Sequence, residues 1–499
     1  MGLIAGQSPN PPSQRVGSGH SRAYIPRPTA TEMQHGSRLR VALSLFFISF
    51  VCYSYCIQVY GWNQSSRMAE IMAIVDRHTL AIDAYQDSTE DKAYYHGHYY
   101  SEKAPGTALL GVPIYAGLRV LERIAPEDRL ARELHFNLYI ISITVVAFPS
   151  ALLVVLMYYL CMHAMGQTAW SFLISMVYGF GTLALPFSTV FFEHQDVAFL
   201  MFAAFVALIR YRESLDPRLL LVAGATMGAG VVMEYQAVLI AGVLSLYALF
   251  MLRSPRRFLL IVIAELPFVS VVFGYNWLML GSPVRFAYHY ITFTYFSEMH
   301  AGFFGITYPR LAALRDILLS PRGLLVESPF LLLLPFAAVA MFRDRRWRAE
   351  LVACLAVAAV YLMYNASYYQ PIGGDSPGPR FLVPMLPFAT FPLVFLARYP
   401  KPRRRLLGIT TIILGSYSIC LYLLMTVTNP LADGGYGSPL SAYWWPRFQS
   451  QHLLPNVATL AFHLYGYESL LPLLLMLAAG LVAYVRAVPA SGVANPIEA

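Results

Sequence analysis

Apolar residues along this chain come in long unbroken runs rather than in the two-residue or 3.6-residue stripes of water-soluble proteins. A spanning helix needs about 20 apolar residues. On that measure the runs near 41–60, 136–162, 168–190, 196–211, 218–235, 236–252, 258–280, 324–342, 350–365, 381–397, 406–427 and 467–485 predict twelve spans. Polar Glu234-Tyr235-Gln236 interrupts the stretch 218–252 at its midpoint, which predicts a hairpin of two helices there. The expected fold class is an all-α polytopic membrane protein with about twelve transmembrane helices and a large first outer loop carrying amphipathic helices.

Composition agrees with the pattern. The 499 residues are 57% hydrophobic and only 12% charged, against roughly 25% charged in soluble domains. A net charge of +8 raises the possibility of nucleic acid, but the basic residues sit in short clusters between apolar runs. Membrane orientation explains that distribution better, so no nucleic-acid partner is expected. With the N-terminus inside, the leader, Arg486 and the connections IRYRESLDPR, RSPRR, RDRRWR and RYPKPRRR hold 21 of the 35 Lys and Arg. Short inner connections that collect the basic residues obey the positive-inside rule. The five cysteines all lie in apolar runs with neither disulfide nor metal-ligand spacing, and read as small buried hydrophobes.

Three parts follow: a Gly/Pro/Ser-rich basic cytoplasmic leader over 1–40, expected to be disordered and not a signal peptide; a membrane domain over 41–486; and a cytoplasmic tail over 487–499. The polar residues of the membrane domain concentrate in outer loops 61–135, 281–323, 365–380 and 428–466. Chemistry is therefore expected on the outer face, and no Gly-rich phosphate loop of the Walker type is present to drive a cytosolic ATP machine.

Within the first outer loop, RMAEIMAIVD has apolar residues at helical spacing and predicts an interfacial helix with its charges on the opposite side. The stretch 104–121 is apolar but interrupted by Pro105, Gly106 and Pro113, and reads as an amphipathic or re-entrant outer helix. Most of the charges between these two helices belong to a solvated loop. Lys103 differs, because in HGHYYSEKAPG it directly precedes a Pro-Gly break and an apolar segment. A fixed ammonium at the headgroup plane suits a phosphate group; snorkelling to lipid headgroups accounts for it equally well. In STVFFEHQDVAF, Glu193, His194 and Asp196 mark the junction of two spans. Ionisable groups at that depth are candidate functional residues, either as a general base or, beside His194, as ligands of a divalent metal ion. Asp375 and Arg380 belong to the tight loop IGGDSPGPRFLVP, where an arginine suits a phosphate or acts as an interfacial anchor. The aromatic loop FAYHYITFTYFSEMHAGFFGITYPR reads as an interface belt or as a platform for sugar or lipid.

Together these features resemble the GT-C superfamily of polytopic glycosyltransferases, especially the bacterial branch with the protein O-mannosyltransferases and the lipid A aminoarabinose transferase. The likeness covers most of the chain in topology and only short motifs in sequence. Arg67 with MAEIM looks like that family's arginine at the start of its first loop helix, Glu102-Lys103-Ala104-Pro105 like its closing motif, and Asp196 in EHQDVAF like its acid near the third and fourth spans. YYSEKAPG, AGFFGITYPRLAALRDILLSPRGLLVESP and GGDSPGPRFLVPMLPF are similar to stretches of other bacterial members. The chain departs from the family where an acidic pair normally precedes the arginine: here stand Asn63-Gln64-Ser65-Ser66.

The resemblance implies transfer of a sugar, with inversion, from a polyprenyl-phosphate donor to an acceptor on the outer face of the bacterial plasma membrane. Asp91 or Asp196 is the expected catalytic carboxylate, Asp83 and Glu193 being the other candidates. Lys103 and Arg380 are expected to hold the donor phosphate. Arg67, Tyr100, Glu102, Glu193, His194 and Asp375 complete the expected substrate-binding set. Membrane lipids are the surrounding partners, and a divalent metal ion is the one cofactor the residues allow. A transporter or lipid flippase is the rival reading, although no duplicated half is visible. A catalytically inactive scaffold is the third, kept open by the missing acidic pair.

Overall fold

The computed structural model describes Gly2 and residues 30–488 apart from 59–60 and 125–133. Most of the expected leader, the charged run after residue 124 and nearly all of the tail thus lie outside the described residues. Fifteen helices carry the architecture: α1 (Ala30–Tyr55), α2 (Trp62–Arg77), α3 (Gly106–Ile124), α4 (Phe136–Met165), α5 (Thr168–Phe180), α6 (His194–Ser214), α7 (Arg218–Met233), α8 (Tyr235–Leu252), α9 (Pro255–Leu280), α10 (Leu311–Glu327), α11 (Pro329–Arg343), α12 (Arg345–Ser367), α13 (Arg380–Arg398), α14 (Lys401–Thr428) and α15 (Gly466–Ala487). The protein is an all-α multi-pass membrane fold. Eight of these helices are long and apolar enough to cross a bilayer, namely α1, α4, α8, α9 and α12 to α15, and the bent pair α10–α11 makes a ninth if it counts as one span. The remaining sequence-predicted spans fall on α5, α6 and α7, of which α5 and α7 are short apolar helices.

Local chemistry explains where the helices break. Glu234 is extended (φ −154°, ψ 126°) between α7 and α8, at the predicted hairpin. The predicted span 324–342 is not one straight helix: the chain turns by 93° between α10 and α11, at the Ser328–Pro329 step. A proline lacks the N–H and forces its predecessor out of the helical region, and Ser328 is accordingly non-helical (φ −123°, ψ 62°). Helix α13 carries Pro384, Pro387 and Pro392 and is wound largely as 3₁₀ turns, buried in the centre of the bundle. In α7 the GATMGAG stretch lets two backbones meet, since a Cβ on Gly224 would lie 2.2 Å from the carbonyl oxygen of Ile261 in α9. Small residues at such crossings are what allow membrane helices to pack closely.

The two ends of the bundle differ. At one, the predicted inner connections meet: Arg212 bonds Glu350, Arg346 bonds Glu213, His163 lies 2.8 Å from Glu213, and Arg398 lies 2.5 Å from Asp344. At the other, the four predicted outer loops converge. Among the described residues the only sheet is a hairpin there, β1 (Lys92–Tyr95) with β2 (His98–Ser101), in the register Lys92↔Ser101 to Tyr95↔His98. His96 (φ 51°) and Gly97 (φ 92°) make its two-residue turn. Positive φ at both central positions matches the right-handed twist of the strands. The segment read from sequence as a loop is therefore a β-hairpin.

Helix α2 corrects a second expectation. Its residues Asn63–Ala73 are all buried, so Arg67 and Glu70 do not face water as the charges of an interfacial helix would. Its polar side is turned into the protein, and α3 packs along it with Gly111 against Ile71 and with Tyr115 and Arg119 bonded to Asp76. Asn63 and Asn365, each in a glycosylation-type sequence, are both buried.

Candidate functional site

The hairpin carries Lys103 to its place. Ser66 of α2 donates to the carbonyl of Asp91 (2.6 Å) and bonds Ser101 Oγ (2.9 Å), which clamps both ends of the hairpin to the helix. Thr89 fixes the approach, donating to the Trp62 carbonyl (2.8 Å) and accepting from the Asp91 N–H (3.0 Å). Asp91 and Glu102 thereby flank Lys103, whose Nζ lies 2.8 Å from Asp91 Oδ2 and 2.6 Å from Glu102 Oε1. Burial by itself would lower the Lys103 pKa, but the two carboxylates outweigh it and hold the ammonium above its usual value. Burial drives the Glu102 carboxyl upward, against the pull of Lys103. The Pro-Gly break beyond has a steric cause: a Cβ on Gly106 would sit 2.7 Å from the Val232 backbone at the end of α7.

A second charged group lies beside the first. Arg67, 1% exposed, bonds the side chains of Asn63 and Glu193. Burial opposes ionisation of Glu193, yet the Arg67 guanidinium prevails and brings the carboxyl down to about 2. Next to it, His194 Nδ1 lies 3.2 Å from Glu234 Oε2, and Glu234 also accepts from Gln236. The potential ligand atoms of Glu193, His194 and Glu234 fall within 4.8 Å of one another, so this trio is the place where the described residues can hold a metal ion. One turn further along α2, Glu70 is fully buried and accepts from Tyr275 (2.9 Å); burial pushes its carboxyl up to about 7.

Arg380 differs from both cations. Among the described residues it has no acidic partner within ion-pairing distance; instead the guanidinium lies over the rings of Phe192 (5.5 Å) and Phe381 (5.1 Å). Gly373 (φ +91°) presses on its stem, where a Cβ would come within 2.7 Å of Arg380 Cγ. Asp375, on the same loop, accepts from the Gly434 N–H (3.0 Å).

These groups surround one cavity of about 1350 Å³. Asp91, Glu102, Lys103, Glu193, Asp375 and Arg380 line it, so six of the ten sequence-selected residues come together. The other four do not. Arg67, His194 and Asp196 are buried behind the wall, and neither Asp196 oxygen has a hydrogen-bond partner among the described residues. Tyr100 packs with Ala93 and Tyr275 on the structural side of the hairpin. Glu234, Tyr235 and Tyr288 belong to the polar wall, with Asn63, Gln64, Gln236, Gln370 and Asp433; sequence reading placed Glu234 at an outer hairpin end without selecting it for the site. One side of the lining is apolar: Leu239 of α8, Val269, Val272 and Phe273 of α9, and Val360 and Met363 of α12. Phe273 and Met363 are 45% and 44% exposed, so this wall continues onto the bilayer-facing surface. The aromatic loop supplies Phe286, Phe293, Phe296 and Phe304 to the same cavity, which makes it part of a substrate-sized wall and not only an interface belt.

No protein-family model matches the sequence, and no curated protein matches it significantly. Among solved structures, ArnT from Cupriavidus metallidurans bound to undecaprenyl phosphate is similar over 92% of this chain and 77% of that one, with a TM-score of 0.51 at 14% identity. ArnT from the same organism in the apo state aligns over 92% and 75%, with a TM-score of 0.47 at 14% identity. The chain has a GT-C-like fold.

Proposed function

We propose that the protein is a membrane glycosyltransferase that moves a sugar from a polyprenyl-phosphate donor to an acceptor hydroxyl at the outer face of a bacterial inner membrane, with the N-terminus cytoplasmic. One observation carries this reading: a single cavity joins a cluster of acids and cations to an apolar wall that runs out between lipid-facing helices. Such a shape suits a ligand with a charged head and a hydrocarbon tail, because the tail stays in lipid while the head enters the polar end. The similarity of fold to an ArnT that binds undecaprenyl phosphate supports the same ligand class.

In this mechanism Asp91 accepts the proton of the acceptor hydroxyl as its oxygen attacks the anomeric carbon. The bond from that carbon to the phosphate oxygen breaks, and polyprenyl phosphate leaves with the electron pair. Arg380, free of carboxylates, meets the charge that develops on the phosphate. Lys103 bridges the two halves, holding Asp91 in place on one side and adding positive potential on the other. Attack from the face opposite the phosphate inverts the anomeric centre. Asp91 is preferred over Asp196 because it lines the cavity. Glu193, His194 and Glu234 are the residues that would hold a divalent ion, and chelation before the assay tests whether turnover uses one.

The test is incubation of the purified protein and native membranes with labelled polyprenyl-phosphate sugars. The expected result is label on an acceptor, with loss of transfer in Asp91→Asn. Label that crosses the bilayer while still attached to its lipid would overturn the reading in favour of a flippase.

A further inference from the structure

Two irregular segments from separate loops contribute to the cavity wall, one with Gly373, Asp375 and Arg380, the other with Asn429, Leu431 and Asp433. Neither has a ladder of its own to satisfy its carbonyls. A buried group outside the cavity does so for both. Arg322, 5% exposed, donates from Nη1 to the carbonyls of Ser376 (2.9 Å) and Ala432 (3.3 Å), and from Nη2 to those of Asp433 and Tyr436, the latter at 3.4 Å. The stretch that holds Ser376 also rests on the main chain here, for a Cβ on Gly378 would come 3.2 Å from the Arg322 carbonyl and 2.6 Å from Glu327 Oε2. Four residues beyond Ser376 stands Arg380.

Glu327, Asp375 and Asp433 lie near enough to favour the charge of Arg322, but its hydrogen bonds go to neutral carbonyls, which offset the desolvation of a buried guanidinium less fully than a paired carboxylate would. Its planar fork of five donors can serve several carbonyls in fixed directions, which a lysine cannot. Such an arrangement is justified where the geometry of the segments matters more than their stability. We propose that Arg322 is a positioning residue: by tying loop 370–380 to loop 429–436 it fixes the direction from which Arg380 meets the phosphate of a polyprenyl-phosphate ligand. This rests on the reading of the cavity given above, and it assigns Arg322 no contact with substrate.

The experiment has two arms on the purified full-length protein. Hydrogen–deuterium exchange compares the wild type with Arg322→Met and Arg322→Lys. Both loops are expected to exchange faster in Arg322→Met, to an intermediate degree in Arg322→Lys, with the hairpin 92–101 unchanged. Binding of polyprenyl phosphate is then measured in Arg322→Met, Arg380→Ala and the double variant. Arg322→Met is expected to weaken binding about tenfold alone and to add less than about twofold when Arg380 is already alanine, as for residues acting through one contact. Unchanged exchange in either loop overturns the clamp, and equal losses on both backgrounds overturn the action through Arg380. If Arg322→Met does not fold, Arg322→Lys carries both arms. A wild type that binds no polyprenyl phosphate sinks the cavity reading and the phosphate role together, while exchange still judges the clamp on its own.

Discussion

Lys103 and Asp91 face each other at 2.8 Å, with Glu102 on the other side of the ammonium at 2.6 Å. The lysine expected from sequence to hold the donor phosphate is flanked by two carboxylates. Two carboxylates balance its charge, whereas Arg380 has no acidic partner within ion-pairing distance among the described residues. In the proposed mechanism Lys103 would contribute by holding Asp91 and by offsetting an otherwise acidic pocket.

That pairing changes what its removal should do. Lys103→Ala leaves Asp91 and Glu102 together without a counter-charge, and breaking a buried pair in this way costs roughly 3–5 kcal/mol. The variant is expected to lose transfer and to melt earlier in detergent than the wild type. Adding Glu102→Gln removes the repulsion, and should recover stability without recovering transfer. Transfer retained in Lys103→Ala would take Lys103 out of the mechanism.

Arg67 and Glu193 make a testable pair of a different kind. The Glu193 carboxyl, driven up by burial but pulled down further by Arg67, titrates near 2, below the ordinary glutamate value of about 4.3. A depressed folded pKa means that the pair's contribution is complete above about pH 4.3 and is lost as pH falls toward 2. Infrared difference spectra against Glu193→Gln should accordingly show an ionised carboxylate at pH 4. In Arg67→Met the same group, still buried, is expected to be protonated at pH 5. An unprotonated Glu193 in that variant would mean that Arg67 does not set its charge.

Glu70 works with the opposite sign. Burial raises it to about 7, against the Tyr275 hydrogen bond that favours ionisation. The folded state then holds a proton that the unfolded chain gives up, so the contribution of Glu70 to stability is most favourable below about pH 4.3 and declines as pH climbs to 7. Glu70→Gln keeps an oxygen for Tyr275 and carries no charge. Its melting temperature should decline less between pH 5 and 8 than that of the wild type, with a gain of roughly 3–4 kcal/mol at pH 8. An equal slope in both proteins would show that Glu70 is not the group responsible.

The contrast between these residues and the helices marks how far a sequence alone can be read. Spans such as Phe136–Met165 and Lys401–Thr428 follow from run length, a local property. The break at Glu234 and the bend at Ser328–Pro329 have local causes too, although only the first was used in the sequence reading. The hairpin also had a visible cue: a Gly turn at His96-Gly97 between two pairs of tyrosines, which favour strands. Its charged surroundings hid it. The meeting of Arg67 with Glu193, or of Arg322 with Ser376 and Asp433, leaves no local trace. Each joins segments more than fifty residues apart, and no periodicity encodes which buried charge finds which partner. For the same reason the sequence leaves Asp91 and Asp196 as equal candidates; of the two, Asp91 lines the cavity.

Arg380 gives the sharpest test of the donor end. It stacks on Phe192 and Phe381 and has no carboxylate partner among the described residues, so truncating it should leave the fold intact, unlike truncation of Lys103. A charge-assisted contact to phosphate is worth about 1.5–3 kcal/mol, which predicts roughly 10- to 150-fold weaker polyprenyl-phosphate binding in Arg380→Ala. Arg380→Lys keeps the charge but loses the planar stack and the two-point grip, and should fall between the two. The melting temperature is expected to stay within a few degrees of wild type in both. Undiminished lipid-phosphate binding by Arg380→Ala would move the phosphate away from this arginine, leaving Lys103 as the remaining cation on the cavity wall, and the transfer geometry would have to be rebuilt around it.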